Sequence, residues 1–389
     1  MTDVEALAQR STEVLERLIA FDTTSRRSNL ELIAFAEAEL SACGARCTRV
    51  ANTDGAKANL IARIGPEVDG GVLLSGHTDV VPVDGQPWSS DPFVLTRRDG
   101  RLYGRGTADM KGFLALALAA APELARAPLQ RPVQFAFSYD EEIGCLGAPS
   151  LIEELVRSGP RPAIVIVGEP TNMEAVAGHK GITTFKVTVN GHEAHSSLTH
   201  LGASAVMDGA RLMNRLIALA EGLERDADPG SPFQPKGASL TIGQVKGGTA
   251  PNILARECVF VFDLRAPPGL DPSQALQPFF EEAAAMDAAL KARFPEAGVR
   301  IEPRSGTPAM QPEPGGEAEQ LARRLAGDNG PARVVSYAAE AGQFQEAGFS
   351  TVICGPGSIE QAHQPDEYLE IAQLERGAAF MARLAEALG

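Results

Sequence analysis

His77 and Asp79 stand two residues apart in GHTDVVP, Asp109 follows a pair of turn glycines in GRGTADMKG, and Glu141 and Glu142 are adjacent in YDEEIGC. Glu169 opens the triplet EPT, and His363 lies in AHQPDE. In extended backbone, residues two apart point the same way, so a carboxylate at Asp79 could hold the His77 imidazole in one tautomer. Asp140, Glu141 and Glu142 would repel one another and lose solvation if covered, so a positive charge is expected beside them. Each residue also has a plainer reading. A strand-end histidine is often structural, a lone Asp109 would serve as the N-cap of the apolar stretch that follows it, and Glu169 and His363 could be solvated loop groups.

Their placement argues for more. Short apolar runs at 59–65, 71–76, 133–139, 163–168 and 351–355 read as strands, and helical spacing runs through 4–20, 29–43 and 112–127. Strands alternating with helices predict an α/β fold with a largely parallel sheet flanked by helices. His77, Glu141 with Glu142, Glu169 and His363 each fall at or beyond the C-terminal end of such a strand, where open α/β sheets bind ligands, and Asp109 sits at a helix start. Histidines and carboxylates converging there suit a pair of divalent ions, with one acid bridging both. The glutamate doublet then divides into a ligand and a free base.

The middle of the chain has another texture. Between residues 181 and 306 the pattern reads strand, helix, strand, strand, helix, strand, a βαββαβ α+β unit inserted into the larger fold. This sets the expected domains at 1–179, 180–306 and 307–389, the first and last forming one catalytic domain. The segment His192-Glu-Ala-His195 is one residue short of the H-E-x-x-H zinc motif and follows a strand, so that reading fails.

Composition narrows the partners. A net charge of -15 over 389 residues argues against nucleic acid and anionic membrane surfaces, which need basic patches. No segment offers the ~20 apolar residues of a membrane span. Five scattered cysteines without a CxxC pair suggest neither a disulfide framework nor a cysteine zinc site, and fit a reducing cytoplasm.

Taken together, GHTDVVP, GRGTADMKG, DEEIG, GEPT and AHQPDE resemble, in order and spacing, the di-zinc M20 metallopeptidase and deacylase family, within it the branch acting on acetylornithine and succinyl-diaminopimelate. The resemblance spans essentially the whole chain. It implies a zinc-peptidase-like catalytic domain with an inserted lid and dimerisation domain, a homodimer formed through that lid, and two zinc ions, with cobalt as a substitute. His77 and Glu169 would hold one ion, Glu142 and His363 the other, and Asp109 would bridge. Asp79 would orient His77, and Glu141 would carry a proton from water to the leaving amine. His195 would stabilise the oxyanion from the lid. Asn252 in GGTAPN and Arg265 in DLR would bind substrate, although Asn252 could equally hold a turn and Arg265 pair with Asp263. Gly355 and Gly357 in GPGS would allow close approach to substrate or form a tight loop.

The expected function is metal-dependent hydrolysis of a small N-acyl amino acid, with N-acetylornithine going to ornithine and acetate, a step of arginine biosynthesis. Succinyl-diaminopimelate desuccinylase, a broader aminoacylase or dipeptidase, and a non-catalytic metal or small-molecule binding protein are the alternatives. Glu340 in SYAAEAGQF is a further acid that could meet the ornithine ammonium, or simply be solvated.

Overall fold

The computed structural model describes residues 3–389; Met1 and Thr2, which begin the expected catalytic segment, lie outside the described residues. Asp3 caps α1 (Val4–Ile19), accepting from the backbone N–H of Glu5 at 3.1 Å and Ala6 at 3.2 Å, donors a helix start leaves unpaired. There follow α2 (Leu30–Ala42), β1 (Arg46–Ala51), β2 (Ala58–Ile64), β3 (Val72–His77), β4 (Thr96–Arg98), β5 (Arg101–Tyr103), α3 (Gly112–Arg126), β6 (Val133–Ser138), α4 (Ala148–Arg157), β7 (Ile164–Pro170) and β8 (Val176–His179). The chain then forms β9 (Gly181–Asn190), α5 (Ala205–Arg225), β10 (Ser239–Gly247), β11 (Glu257–Ala266), α6 (Pro272–Arg293) and β12 (Gly298–Thr307). It ends with α7 (Glu317–Ala326), β13 (Arg333–Val335), α8 (Ala341–Glu346), β14 (Ser350–Gly355), β15 (Tyr368–Glu370) and α9 (Ile371–Leu388).

Contacts divide the chain into two units. One runs to Gly178 and resumes over Met310–Val334 and Ala339–Gly389; the other is His179–Ala309 with Val335–Ala338.

The first unit is built on an eight-stranded sheet in the order β1-β2-β6-β3-β7-β14-β8-β13. Its centre is parallel: β3 pairs with β6 and β7, and β14 with β7. Its flanks are antiparallel, β2 against both β1 and β6 and β8 against β14, so the sheet is mixed around a parallel centre. The six residues between β1 and β2 are too few for the crossover that parallel neighbours need. Under the sheet, α3 is buried without a break from Gly112 to Ala121, as a helix apolar on every side must be, and α1 and α9 pack against it. Each fully buried Leu or Phe there contributes roughly 1.5–3 kcal/mol. Helix and strand approach so closely that a Cβ at Gly168 would lie 2.0 Å from the Phe113 ring, so only glycine fits in β7 just before Glu169.

The second unit is a four-stranded antiparallel sheet, β10-β11-β9-β12, with α5 and α6. Alternate residues of β11 are buried, the period of two expected of a half-covered strand. Val187, Leu212, Leu216, Phe260, Phe262 and Phe279 are at the centre of its separate core. Among the described residues no helix is long and apolar enough to cross a membrane.

Candidate metal centre

The four central parallel strands end side by side, and the polar residues follow from those ends. His77 is the last residue of β3, Glu141 and Glu142 lie just past β6, Glu169 is near the end of β7, and His363 is in the loop after β14. Asp109 is not an N-cap. It sits at φ -123°, ψ 92° ahead of α3, whose cap position is Lys111, and its carboxylate meets His77 and His363 instead.

Two ligand groups form, and Asp109 belongs to both. His77 Nε2 is 3.0 Å from Asp109 Oδ1 and 3.9 Å from Glu169 Oε1. His363 Nε2 is 3.3 Å from Asp109 Oδ2 and 3.0 Å from Glu142 Oε2. Within each triad, His77–Asp109–Glu169 and Asp109–Glu142–His363, the donor atoms lie within 4.8 Å of one another. His77 Nδ1 donates to the Asp79 carbonyl at 2.9 Å, which leaves Nε2 free to face the carboxylates. His77, Asp109, Glu142 and Glu169 have buried side chains, whereas the His363 side chain is 52% exposed, the open side of the site.

The electrostatics fit cations. Loss of water pushes the Glu142 carboxyl up to about 7, with Asp109 adding to the rise, and lifts Glu169 well above the usual range with Asp109 again contributing. Desolvation pushes Glu141 up to about 8; His77 opposes the rise, and Glu142, Asp109 and Asp79 reinforce it. Burial also works against ionised Asp109, but hydrogen bonds from His363 and His77 outweigh it and hold that carboxyl far below its ordinary value. His363 rises to about 10 through its bonds to Asp109 and Glu142. Among the described residues no lysine or arginine forms an ion pair with Asp109, Glu142 or Glu169. Glu142 Oε1 and Glu169 Oε1 are buried without a hydrogen-bond partner. Orphaned carboxylate oxygens, two imidazoles and a shared aspartate are the donor set that divalent ions with N and O ligands require.

Around the triads the structure redistributes several expected roles. The Asp79 carboxylate is 3.7 Å from His77 Nδ1, so its carbonyl and not its side chain orients the ring. That carboxylate instead accepts from the backbone N–H of Glu141 at 3.0 Å and Glu142 at 3.3 Å, and from Ser25 Oγ at 2.7 Å, pinning the glutamate doublet. The positive charge expected beside the three acids is Lys57, paired with Asp140. Glu141 belongs to neither triad; the Cys145 thiol donates to its Oε1 at 3.2 Å, a contact the sequence did not suggest. Glu340 is buried and accepts from Ser75 Oγ and Ser138 Oγ at 2.7 Å each, so it ties β3 to β6 and is not available to a substrate ammonium. Gly355 and Gly357 have packing reasons: a Cβ on Gly355 would lie 2.0 Å from the Gly168 carbonyl oxygen, and Gly357 has φ 87°.

The remaining expected residues lie in the second unit. The backbone N–H of Ser197 at 3.2 Å and its hydroxyl at 2.7 Å both face His195 Nδ1, making that nitrogen the acceptor and leaving Nε2 to carry the proton. The Asn252 carbonyl accepts from Ser196 N–H at 3.0 Å, which brings Asn252 beside His195. Arg265 pairs with Asp263 at 3.0 Å, the plainer of its two readings. His192 stacks on Phe294 with ring centroids 4.2 Å apart, and burial pushes His179 down to about 4.

At its strand ends the mixed α/β sheet thus carries two triads that could each hold a metal ion and that share one aspartate. The model of Peptidase family M20/M25/M40 matches residues 73–387, and the chain belongs to that family. A protein of Myxococcus xanthus called acetylornithine deacetylase is 38% identical over 379 residues, 95% of each chain. Another of that name, from Pasteurella multocida (strain Pm70), is 35% identical over 369 residues, 92% of this chain and 91% of its own. The M20 family metallo-carboxypeptidase Sso-CP2 from Sulfolobus solfataricus shares the fold with a TM-score of 0.77 at 17% identity, covering 97% of this chain and 98% of the other.

Proposed function

We propose that the chain hydrolyses the amide of an N-acyl amino acid, N-acetylornithine first, to acetate and the free amine, using two zinc ions for which cobalt can substitute. The observation that carries this reading is the shared Asp109, with Glu141 standing outside both triads. His77, Asp109 and Glu169 would hold one ion, and Asp109, Glu142 and His363 the other. When bound, such ions acidify a water molecule and polarise a carbonyl. Glu141 accepts the proton of the attacking water and delivers it to the amine nitrogen as the C–N bond breaks, a proton-shuttle role open to a carboxylate that belongs to neither triad. Asp79 keeps Glu141 and Glu142 in register through their backbone amides. His195, with its proton on Nε2, is a hydrogen-bond donor suited to an oxyanion.

The substrate choice rests on the two deacetylase relatives. Purified protein supplied with zinc or cobalt should deacylate N-acetylornithine; a clear preference for succinyl-diaminopimelate, N-acetylmethionine or a dipeptide refutes that choice while leaving the hydrolase reading in place. We place the protein in the cytoplasm, consistent with five cysteines that form no disulfide. A homodimer through the second unit is supported by the edge strand β10, with Val245 58% exposed, and by Met207 and Ile217 exposed on α5. Light scattering that finds a monomer at micromolar concentration overturns it.

A further inference from the structure

Glu367 is a buried carboxylate that belongs to neither ligand triad, yet every hydrogen bond of its side chain goes to the loop that presents Asp109. Its Oε1 accepts from the backbone N–H of Ala108 at 2.9 Å and of Asp109 at 3.1 Å. Its Oε2 accepts from Gly106 N–H at 2.9 Å and from Arg105 Nη1 at 2.7 Å. Both the Glu367 and the Arg105 side chains are 1% exposed. Arg105 continues the connection: Nη2 donates to Gln86 Oε1 at 2.6 Å, and Gln86 Nε2 donates to the His363 carbonyl at 2.8 Å. A closed path therefore runs from the Asp109 amide through Glu367, Arg105 and Gln86 to the His363 backbone.

The two ends of that path need holding. His363 and Asp366 occupy the left-handed region at φ 63° and 56°, which non-glycine residues adopt only when surrounding contacts enforce it. Asp366 is itself fixed by accepting from Ser89 N–H at 2.8 Å. Asp109 lies in a stretch whose backbone departs from helical angles just before α3, so α3 alone does not set its direction. Lys111, two residues on, is likewise tied elsewhere, to the Leu18 and Phe21 carbonyls at 3.0 and 2.8 Å. Glu367 is the group that accepts from the Asp109 backbone.

We infer that Glu367, braced by Arg105 and Gln86, is the positioning residue that locks the Asp109 loop to the His363 loop and so sets the affinity of both ion sites. The inference rests on the dinuclear reading given under Proposed function. In a carboxamide, one of the two acceptor oxygens becomes an N–H donor facing donors that are already buried, so Glu367→Gln leaves at least one of them unpaired. Loss of such an outer support typically costs 10–100-fold in metal affinity or activity.

The test is a cobalt(II) titration of the full chain after chelation and dialysis, followed by absorbance and calorimetry, on native protein, E367Q, E367D and Q86A, with thermal melting of each apoprotein as a folding control. E367Q should stay folded and bind both ions about 10–100-fold more weakly, because Asp109 serves both sites. E367D should recover part of the loss. Q86A should weaken one ion only, since it reaches His363 and not Asp109. Excess cobalt should return kcat of E367Q to near native with KM for N-acetylornithine unchanged, an outcome that a general structural defect would not give. Folded E367Q binding both ions within about twofold of native overturns the inference; if E367Q does not fold, Q86A with both affinities native overturns it instead. Native protein that takes up no cobalt refutes the dinuclear reading itself and the inference with it.

Discussion

Replacing Glu141 with Gln separates the proposed proton carrier from the metal ligands. The substitution preserves side-chain size, and the backbone N–H of Glu141 that bonds Asp79 is untouched, so the doublet should stay in register. Neither triad contains Glu141, so ion binding should survive, with E141Q taking up as many ions per chain as the native protein does. The local cost is the Cys145 contact to Oε1, which an amide oxygen can still accept. What is lost is the capacity to take a proton from water and hand it to the amine. General acid–base catalysis by one positioned group contributes about 10²–10⁴-fold, or roughly 3–5 kcal/mol of barrier at about 1.4 kcal/mol per tenfold. E141Q should therefore lose kcat by that factor with KM for N-acetylornithine nearly unchanged, measured by release of free amine at saturating cobalt and checked by metal analysis. Turnover within about tenfold of native, with both ions in place, would mean another group moves the proton. Loss of an ion would instead make Glu141 a ligand.

D109N should abolish binding of both ions, whereas E169Q and E142Q should each remove one; equal losses in all three, measured by metal analysis after dialysis, would contradict the sharing of Asp109. Lys57→Met leaves the Asp140 carboxylate largely buried without its cation and should lower stability by about 3 kcal/mol, while K57M with D140N should recover much of it; chemical denaturation of the three proteins decides, and an unaffected K57M refutes the pairing. E340Q should leave KM for N-acetylornithine within about twofold, because both carboxylate oxygens of Glu340 are already bonded to Ser75 and Ser138; a KM increase beyond about tenfold would restore the idea that Glu340 reads the substrate ammonium.

The parts of the fold that sequence made legible are those whose signal is local. Buried parallel strands read as short apolar runs, and β3, β6, β7 and β14 were each anticipated to within a few residues. The inserted unit was legible for the same reason, its helices and alternating strands each carrying their own period. Short edge elements were not. β1, β4, β5, β13 and β15 are half-exposed or only three residues long, and their pairing is decided by partners distant in sequence, as in β15 against β5. The antiparallel flanks around the parallel centre were not legible, because strand direction is a property of connections and neighbours, which a run of apolar residues does not encode.

The site divides along the same line. Residue type and position at strand ends singled out His77, the Glu141–Glu142 doublet, Glu169 and His363 as candidates, because a parallel sheet gathers whatever follows its carboxyl ends, whereas taking Glu142 over Glu141 as the ligand, and Asp109 as the shared one, came from the family resemblance. Sequence could not say that Asp79 works through its carbonyl on His77 and its carboxylate on the glutamate amides, since both lie within reach of one residue and only the backbone path chooses between them. Nor could it separate Glu340 and Glu367 from solvated acids: their partners lie 265, 202 and about 260 positions away, and burial exists only after folding. The chain alone determined which chemical groups are available and which strands deliver them. Tertiary structure decided which of those groups face a cation and which hold the loops that do, because that depends on hydrogen bonds closed across the fold.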